Sequence, residues 1–332
     1  MTGGNGAANG ANGASHEVDA AGAGPVFEPH ADLSNVRAVI FDVDGVLLDA
    51  RPSFHAVAEE AARRAVGLML GDDRARGLPF DRALEIPLFK AAGGFNDDWE
   101  MSRAIAYLLL LRARALSQGG QALPPLAALL AEAKGAGVHG LIATRGPEAT
   151  LGLPVAALAA LQPAWFSRVC GALYAGARES QRLYGFDARE VLPDAPERGW
   201  YERETPLCDP KVLAQVESRW TLALFTGRYP AEAELALRLL RLEVIERVRW
   251  TADGRRPRKP DPAGLLWLCD DLLERKKRGT PAAETALFLG DTADDQAAAR
   301  AALVAGAPLV YAHISRPGDT TRALQRLLDA HP

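Results

Sequence analysis

Two carboxylates stand two positions apart in Asp42-Val43-Asp44-Gly45-Val46. On an extended chain they would point to opposite faces, but a tight turn at Gly45 brings both to one ligand. One can attack while the other shuttles protons, the division of labour that covalent phosphoryl transfer requires. Asp-x-Asp-Gly also occurs in calcium loops, yet Val46 stands where an EF-hand loop needs another oxygen ligand. Three further clusters accompany this one. Phe225-Thr226-Gly227-Arg228 offers a hydroxyl and backbone amides. Arg258-Lys259-Pro260-Asp261-Pro262 offers a lysine fixed by the proline beside it. Leu289-Gly290-Asp291-Thr292-Ala293-Asp294-Asp295 offers more carboxylates.

These clusters need elements to hold them. Val36–Phe41 is a short apolar run suited to a buried parallel strand, as are 221–225, Ala286–Leu289 and Leu309–Ala312. The first three runs end in polar clusters, and helical stretches such as Ala231–Leu242 and Asp294–Ala305 follow. This alternation predicts an α/β fold with a doubly wound parallel sheet, whose ligands sit at the carboxyl ends of the strands. The long interval between Asp44 and Thr226 reads as mainly helical. Phe54, Val57, Ala58, Ala61, Ala65, Leu68 and Met69 recur at helical spacing, and Trp99–Leu116 is a second helix. Pro and Gly break 117–163 into short helices and turns. The expected organisation is a core of 34–49 and 206–332, a helical cap inserted over 50–205, and a disordered Gly/Ala-rich tail over 1–33. The first 24 residues hold seven Gly, seven Ala and three Asn, with little apolar surface to bury.

The ordered set of four clusters resembles the haloacid dehalogenase (HAD) superfamily, with a Rossmann-like core. The resemblance implies that Asp42 is the nucleophile forming an aspartyl-phosphate, and that Asp44 protonates the leaving alcohol and then activates water. It implies that Thr226, with Gly227, binds the phosphoryl oxygens and that Lys259 neutralises them. Asp291 would bind Mg2+ with Asp42 and the backbone carbonyl of Asp44, supported by Asp295 or its neighbour Asp294. The physics agrees: a dianionic phosphate needs a cation and Lys259 to approach these carboxylates. Magnesium takes hard oxygen ligands, which this set supplies. Asp44 favours phosphate-ester hydrolysis or phosphomutase chemistry, since dehalogenases lack this acid and transport ATPases carry Thr there. The helical insertion looks like the cap of the phosphoglycolate-phosphatase-like subfamily. The stretch Lys90–Glu100, with Leu173-Tyr174-Ala175-Gly176 and Leu183-Tyr184-Gly185, resembles a branch associated with the histidine-pathway imidazoleglycerol-phosphate dehydratase.

Composition excludes other classes. With 38 basic and 42 acidic residues, a net charge of −4 provides no field for nucleic acid. No apolar stretch is long enough to span a membrane, and no Lys or Arg precedes Arg37 to make a secretory or transit signal. Cys170, Cys208 and Cys269 are odd in number and far apart, which predicts reduced thiols in a cytoplasmic protein. Arg275–Arg278 reads as a solvated helix end. His55 reads as a packed or surface histidine, and as the available acid/base if the protein is a mutase. The expected function is Mg2+-dependent hydrolysis of a small phosphorylated metabolite. Phosphomutase chemistry and non-catalytic phosphometabolite binding are the alternatives, and the sequence carries no signal for oligomeric state. Asn96, Asp97, Asp98 and Trp99 are the expected specificity residues. Carboxylates and an aromatic over the site would favour a cationic substrate such as histidinol phosphate.

Overall fold

The computed structural model describes residues 26–27, 31–95, 97–120, 123–133, 135–145, 161–244, 248–273 and 284–332. Its strands are β1 (Val26–Phe27), β2 (Val36–Phe41), β3 (Leu48–Asp49), β4 (Thr205–Pro206), β5 (Thr221–Phe225), β6 (Arg249–Trp250), β7 (Thr285–Gly290) and β8 (Leu309–His313). Six of them form one sheet in the order β1-β8-β7-β2-β5-β6. All neighbours in it are parallel except β1 with β8. This is the doubly wound, Rossmann-like α/β sheet expected from the apolar runs. β2 lies at its centre, buried at every position but Arg37, which is why its sequence is a near-continuous apolar run.

The amino-terminal expectation needs correction. Val26 and Phe27 pair with His313 and Ala312. Phe27 packs against the core, with the Arg326 guanidinium 4.2 Å from its ring centroid. Leu33 is buried. Chain that was read as tail therefore covers the open edge of β8, a use for a short apolar pair that composition averages away. Residues 1–25 and 28–30 of the expected tail, together with Arg275–Arg278, lie outside the described residues.

Apolar side chains gather into two clusters. One joins Leu33–Leu48 to Cys208–Leu328 around the sheet. The other spans Ala50–Tyr201 and takes in Leu235 from the helix Pro230–Leu240. Helices Ala56–Leu70, Arg82–Ala92, Asp98–Ser117 and Pro163–Tyr184 build the second cluster. The last of these breaks at Gly176 (φ +64°), where a β-carbon would strike the backbone of Arg198 and Gly199. Helix Pro230–Leu240 stops short of the expected 242, because Arg241 turns into the left-handed region (φ 56°). The chain crosses between the clusters twice, and both crossings are strapped together by antiparallel pairing of β3 with β4. Among the described residues no single helix is long and apolar enough to cross a membrane.

Candidate active site

Asp42 is the first residue beyond β2. Its N–H donates to the Leu289 carbonyl at 2.9 Å, continuing the ladder to β7, and its carboxylate is buried. Its Oδ1 accepts the Val43 N–H at 2.7 Å and lies 3.0 Å from Lys259 Nζ. Lys259 also lies 2.6 Å from Asp295 Oδ1, with its ammonium 4.9 Å from the Phe225 ring centroid. The other Asp295 oxygen accepts from the Thr292 N–H (3.1 Å), the Thr292 hydroxyl (2.7 Å) and the Asp291 N–H (3.3 Å). Thr292 and Asp295 thus form a capping box for the helix Ala293–Val304. Of the two neighbouring acids, Asp295 is wholly buried and joins the cluster, while Asp294 is half-buried.

Three carboxylates face one ammonium. Ligand oxygens of Asp42, Asp291 and Asp295 lie within 4.8 Å of one another. Asp291 Oδ1 is buried without a hydrogen-bond partner. Burial, partly offset by Lys259 and reinforced by Asp295, pushes the Asp42 carboxyl up to about 7. Burial and the Asp42 charge push Asp291 up to about 8. Hard oxygen donors, an orphaned buried oxygen and excess negative charge fit Mg2+, and among the described residues no histidine or cysteine joins the cluster.

Thr226 follows β5. Its N–H donates to the Trp250 carbonyl at 3.0 Å, and its buried hydroxyl accepts the Arg228 N–H at 3.2 Å. Gly227, beside it, borders open space.

The Asp44 carboxylate, expected as the acid/base with only its backbone carbonyl at the metal, stands outside the acidic cluster, about two-fifths exposed, and meets Arg228. Arg228 Nη2 lies 2.6 Å from Asp44 Oδ1, and Nε lies 3.0 Å from Oδ1 and 3.2 Å from Oδ2. The guanidinium is otherwise sealed. It donates to Glu204 Oε2 at 2.8 Å and to the Tyr174 hydroxyl at 3.1 Å, with Phe54 5.1 Å away. Glu204 accepts in turn from Ser53 Oγ (2.7 Å) and from Tyr174 (3.2 Å). Arg228 and Tyr174 stand within sequence motifs that assign neither of them a task. The one available signal was an arginine directly after the Thr-Gly turn of a buried strand end. Glu204 has no local signature.

The acidic residues of the 97–100 segment all have local partners. Asp97 caps the helix Asp98–Ser117, accepting from the Trp99 and Glu100 N–H groups at 3.0 and 3.3 Å. Asp97 also meets Arg258 at 3.4 Å, Asp98 pairs with Lys90 at 2.9 Å, and Glu100 pairs with Arg103 at 2.7 Å. Trp99 packs on Phe54 and Tyr174, with centroids 5.3 and 6.2 Å apart. Each of these carboxylates thus has a cationic neighbour within 3.4 Å. Asn96 lies outside the described residues. His55 ends the helical turn Arg51–His55, and burial lowers its pKa, opposed by the nearby Asp98 charge.

No family model matches this sequence, and no curated protein does. Solved structures do match. The fold is shared with the phosphatase Tt82 from Thermococcus thioreducens, at 22% identity over 88% of this chain and 98% of that one, with a TM-score of 0.59. A structural-genomics structure shares it at 17% identity, over 89% of this chain and 100% of the other, with a TM-score of 0.56. A HAD-superfamily hydrolase of subfamily IA from Geobacter sulfurreducens matches at 19% identity, over 88% and 97% of the two chains, with a TM-score of 0.40.

Proposed function

We propose that this protein is a HAD-type, Mg2+-dependent phosphatase that hydrolyses a small phosphomonoester through an aspartyl-phosphate on Asp42. The observation carrying this reading is the convergence of Asp42, Lys259, Asp291 and Asp295 at the ends of β2 and β7, with Thr226 at the end of β5. Asp42 attacks phosphorus, the P–O bond to the alcohol breaks, and Asp44 gives the leaving oxygen its proton. Asp44 then takes a proton from the water that cleaves the acyl-phosphate. Thr226 and the Gly227 amide orient the phosphoryl oxygens, and Lys259 offsets their charge. Asp42, Asp291 and the Asp44 backbone carbonyl would hold Mg2+, with Asp295 bracing Asp291 and Lys259. When bound, the ion supplies charge neutralisation that one lysine cannot.

In the same reading, 34–49 and 206–332 form the catalytic core and 50–205 the cap that selects the substrate. The three free, buried thiols suit a cytoplasmic setting. The paired carboxylates of 97–100 leave no charge reason to prefer histidinol phosphate over an uncharged or anionic ester. The test is phosphate release from a panel of phosphorylated metabolites, with and without Mg2+. Release that requires the ion supports the phosphatase. Sugar-phosphate isomerisation without release points to the mutase, and binding without turnover to a non-catalytic protein.

A further inference from the structure

Arg228 carries a charge in a place where charge is expensive. Its side chain is 1% exposed, and its two anionic partners are unlike: Glu204 is wholly buried, whereas Asp44 is 39% exposed. Burying an ion without partners costs several kcal/mol, so a buried guanidinium between two acids persists only in well-made geometry. That geometry is lopsided. Both short contacts, 2.6 and 3.0 Å, fall on Asp44 Oδ1, while Oδ2 has a single contact at 3.2 Å. Oδ1 is held by two donors and Oδ2 by one, on a side chain that remains 39% exposed.

The groups that fix Arg228 itself come from the helical side. Tyr174 lies on the helix Pro163–Tyr184, and Phe54 and Ser53 on the turn Arg51–His55. Glu204 directly precedes β4 at the returning crossing. Phe54 stacks on Tyr174 with centroids 4.5 Å apart, so the donor, the acceptor and the ring beneath the guanidinium form one packed unit. We propose that Arg228 is a positioning residue for Asp44, holding its carboxylate with Oδ2 toward the leaving-group oxygen, and that Glu204 and Tyr174 make this placement depend on the seated helical lobe.

The proposal rests on the phosphatase reading, in which Asp44 is the general acid. Its signature is therefore sensitivity to the leaving group. An alkoxide must be protonated as it departs, whereas p-nitrophenolate leaves with little help. The probes are glycerol phosphate and p-nitrophenyl phosphate, and kcat/KM is compared because it reports the step in which the alcohol departs. For Asp44→Asn and Arg228→Met, kcat/KM should fall about 10²-fold or more for glycerol phosphate. The fall for p-nitrophenyl phosphate should be roughly tenfold smaller or better. Arg228→Lys keeps the charge but not the fork, and should recover only part of the loss. Tyr174→Phe should show the same selectivity in weaker form.

If Arg228→Met fails to fold because it strands the Glu204 charge, Arg228→Met/Glu204→Gln removes both ions and carries the same expectation. Equal losses on the two esters in the Arg228 variants, with Asp44→Asn still selective, overturn the positioning role alone. An unselective Asp44→Asn overturns the general-acid role, and with it both the phosphatase mechanism and the proposal.

Discussion

Gly45 leaves room for Asp291. A β-carbon at position 45 would overlap the Asp291 carboxylate, and Gly45 holds φ at +75°. The turn that follows the first acidic pair thus abuts the acid after β7. Gly45→Ala should push Asp291 aside as well as strain the backbone by about 1–2 kcal/mol. A displacement of roughly 1 Å at a reacting site costs on the order of 10²-fold. We expect activity to fall by that order, with a weaker response to Mg2+ and a lowered Tm. Unchanged kinetics would separate Gly45 from the site.

Covalent chemistry should fail without its nucleophile. An amide cannot form the acyl-phosphate, so Asp42→Asn should abolish turnover. Asp291→Asn removes a carboxylate whose buried Oδ1 has no hydrogen-bond partner, and should move the Mg2+ titration to higher concentration. Wild-type-like phosphate release by Asp42→Asn would refute the mechanism.

Stability should carry a pH signature from Glu232. Its carboxyl is buried between the Tyr184 hydroxyl at 2.6 Å and the Tyr229 N–H at 3.0 Å. Burial pushes it up from the usual 4.5 to about 7. The folded state then keeps a proton that the unfolded chain has released, so stability falls as pH rises from about 4.5 to about 7. Glu232→Gln can keep both bonds, its carbonyl toward Tyr229 and its amide toward Tyr184. We expect denaturation to show it gaining on wild type across that window, by up to about 3 kcal/mol. Parallel stability profiles would contradict this.

Removing the amino terminus in two steps should locate where structure begins. Deleting residues 1–30 removes β1, and with it the partly buried Phe27 and its Arg326 contact. This should cost about 1 kcal/mol relative to deleting residues 1–24, from half-burial of one aromatic. Equal melting temperatures for the two truncations would show that β1 adds nothing.

The 97–100 segment should prove structural. Asp97→Ala removes a cap and should destabilise by about 0.5–2 kcal/mol. Asp97→Asn/Asp98→Asn preserves the cap while removing charge. It should leave the kcat/KM ratio of histidinol phosphate to phosphoglycolate unchanged. A marked shift in that ratio would restore a charge-reading role.

What the sequence determined by itself is what short-range physics enforces. Apolar runs of four to six residues followed by the clusters at Asp42, Thr226 and Asp291 read as buried strands with polar ends. A parallel sheet aligns those ends, which brings the chain after Asp42, Thr226 and Asp291 to one edge of the sheet. Other relationships depend on contacts between residues far apart in the chain, which leave no local mark. Asp44 was legible as an acid, but its capture by Arg228 with Glu204 and Tyr174 was not, because those partners come from separate elements. The carboxylates near Trp99 looked like a charged surface because their cations, Lys90, Arg103 and Arg258, are neutralising only once folded. Composition likewise hid Val26 and Phe27 within a Gly/Ala-rich segment, since two apolar residues matter only where a sheet offers an open edge. Tertiary structure decided the partner of each charge, because pairing depends on distances of a few ångströms that only the packed chain sets.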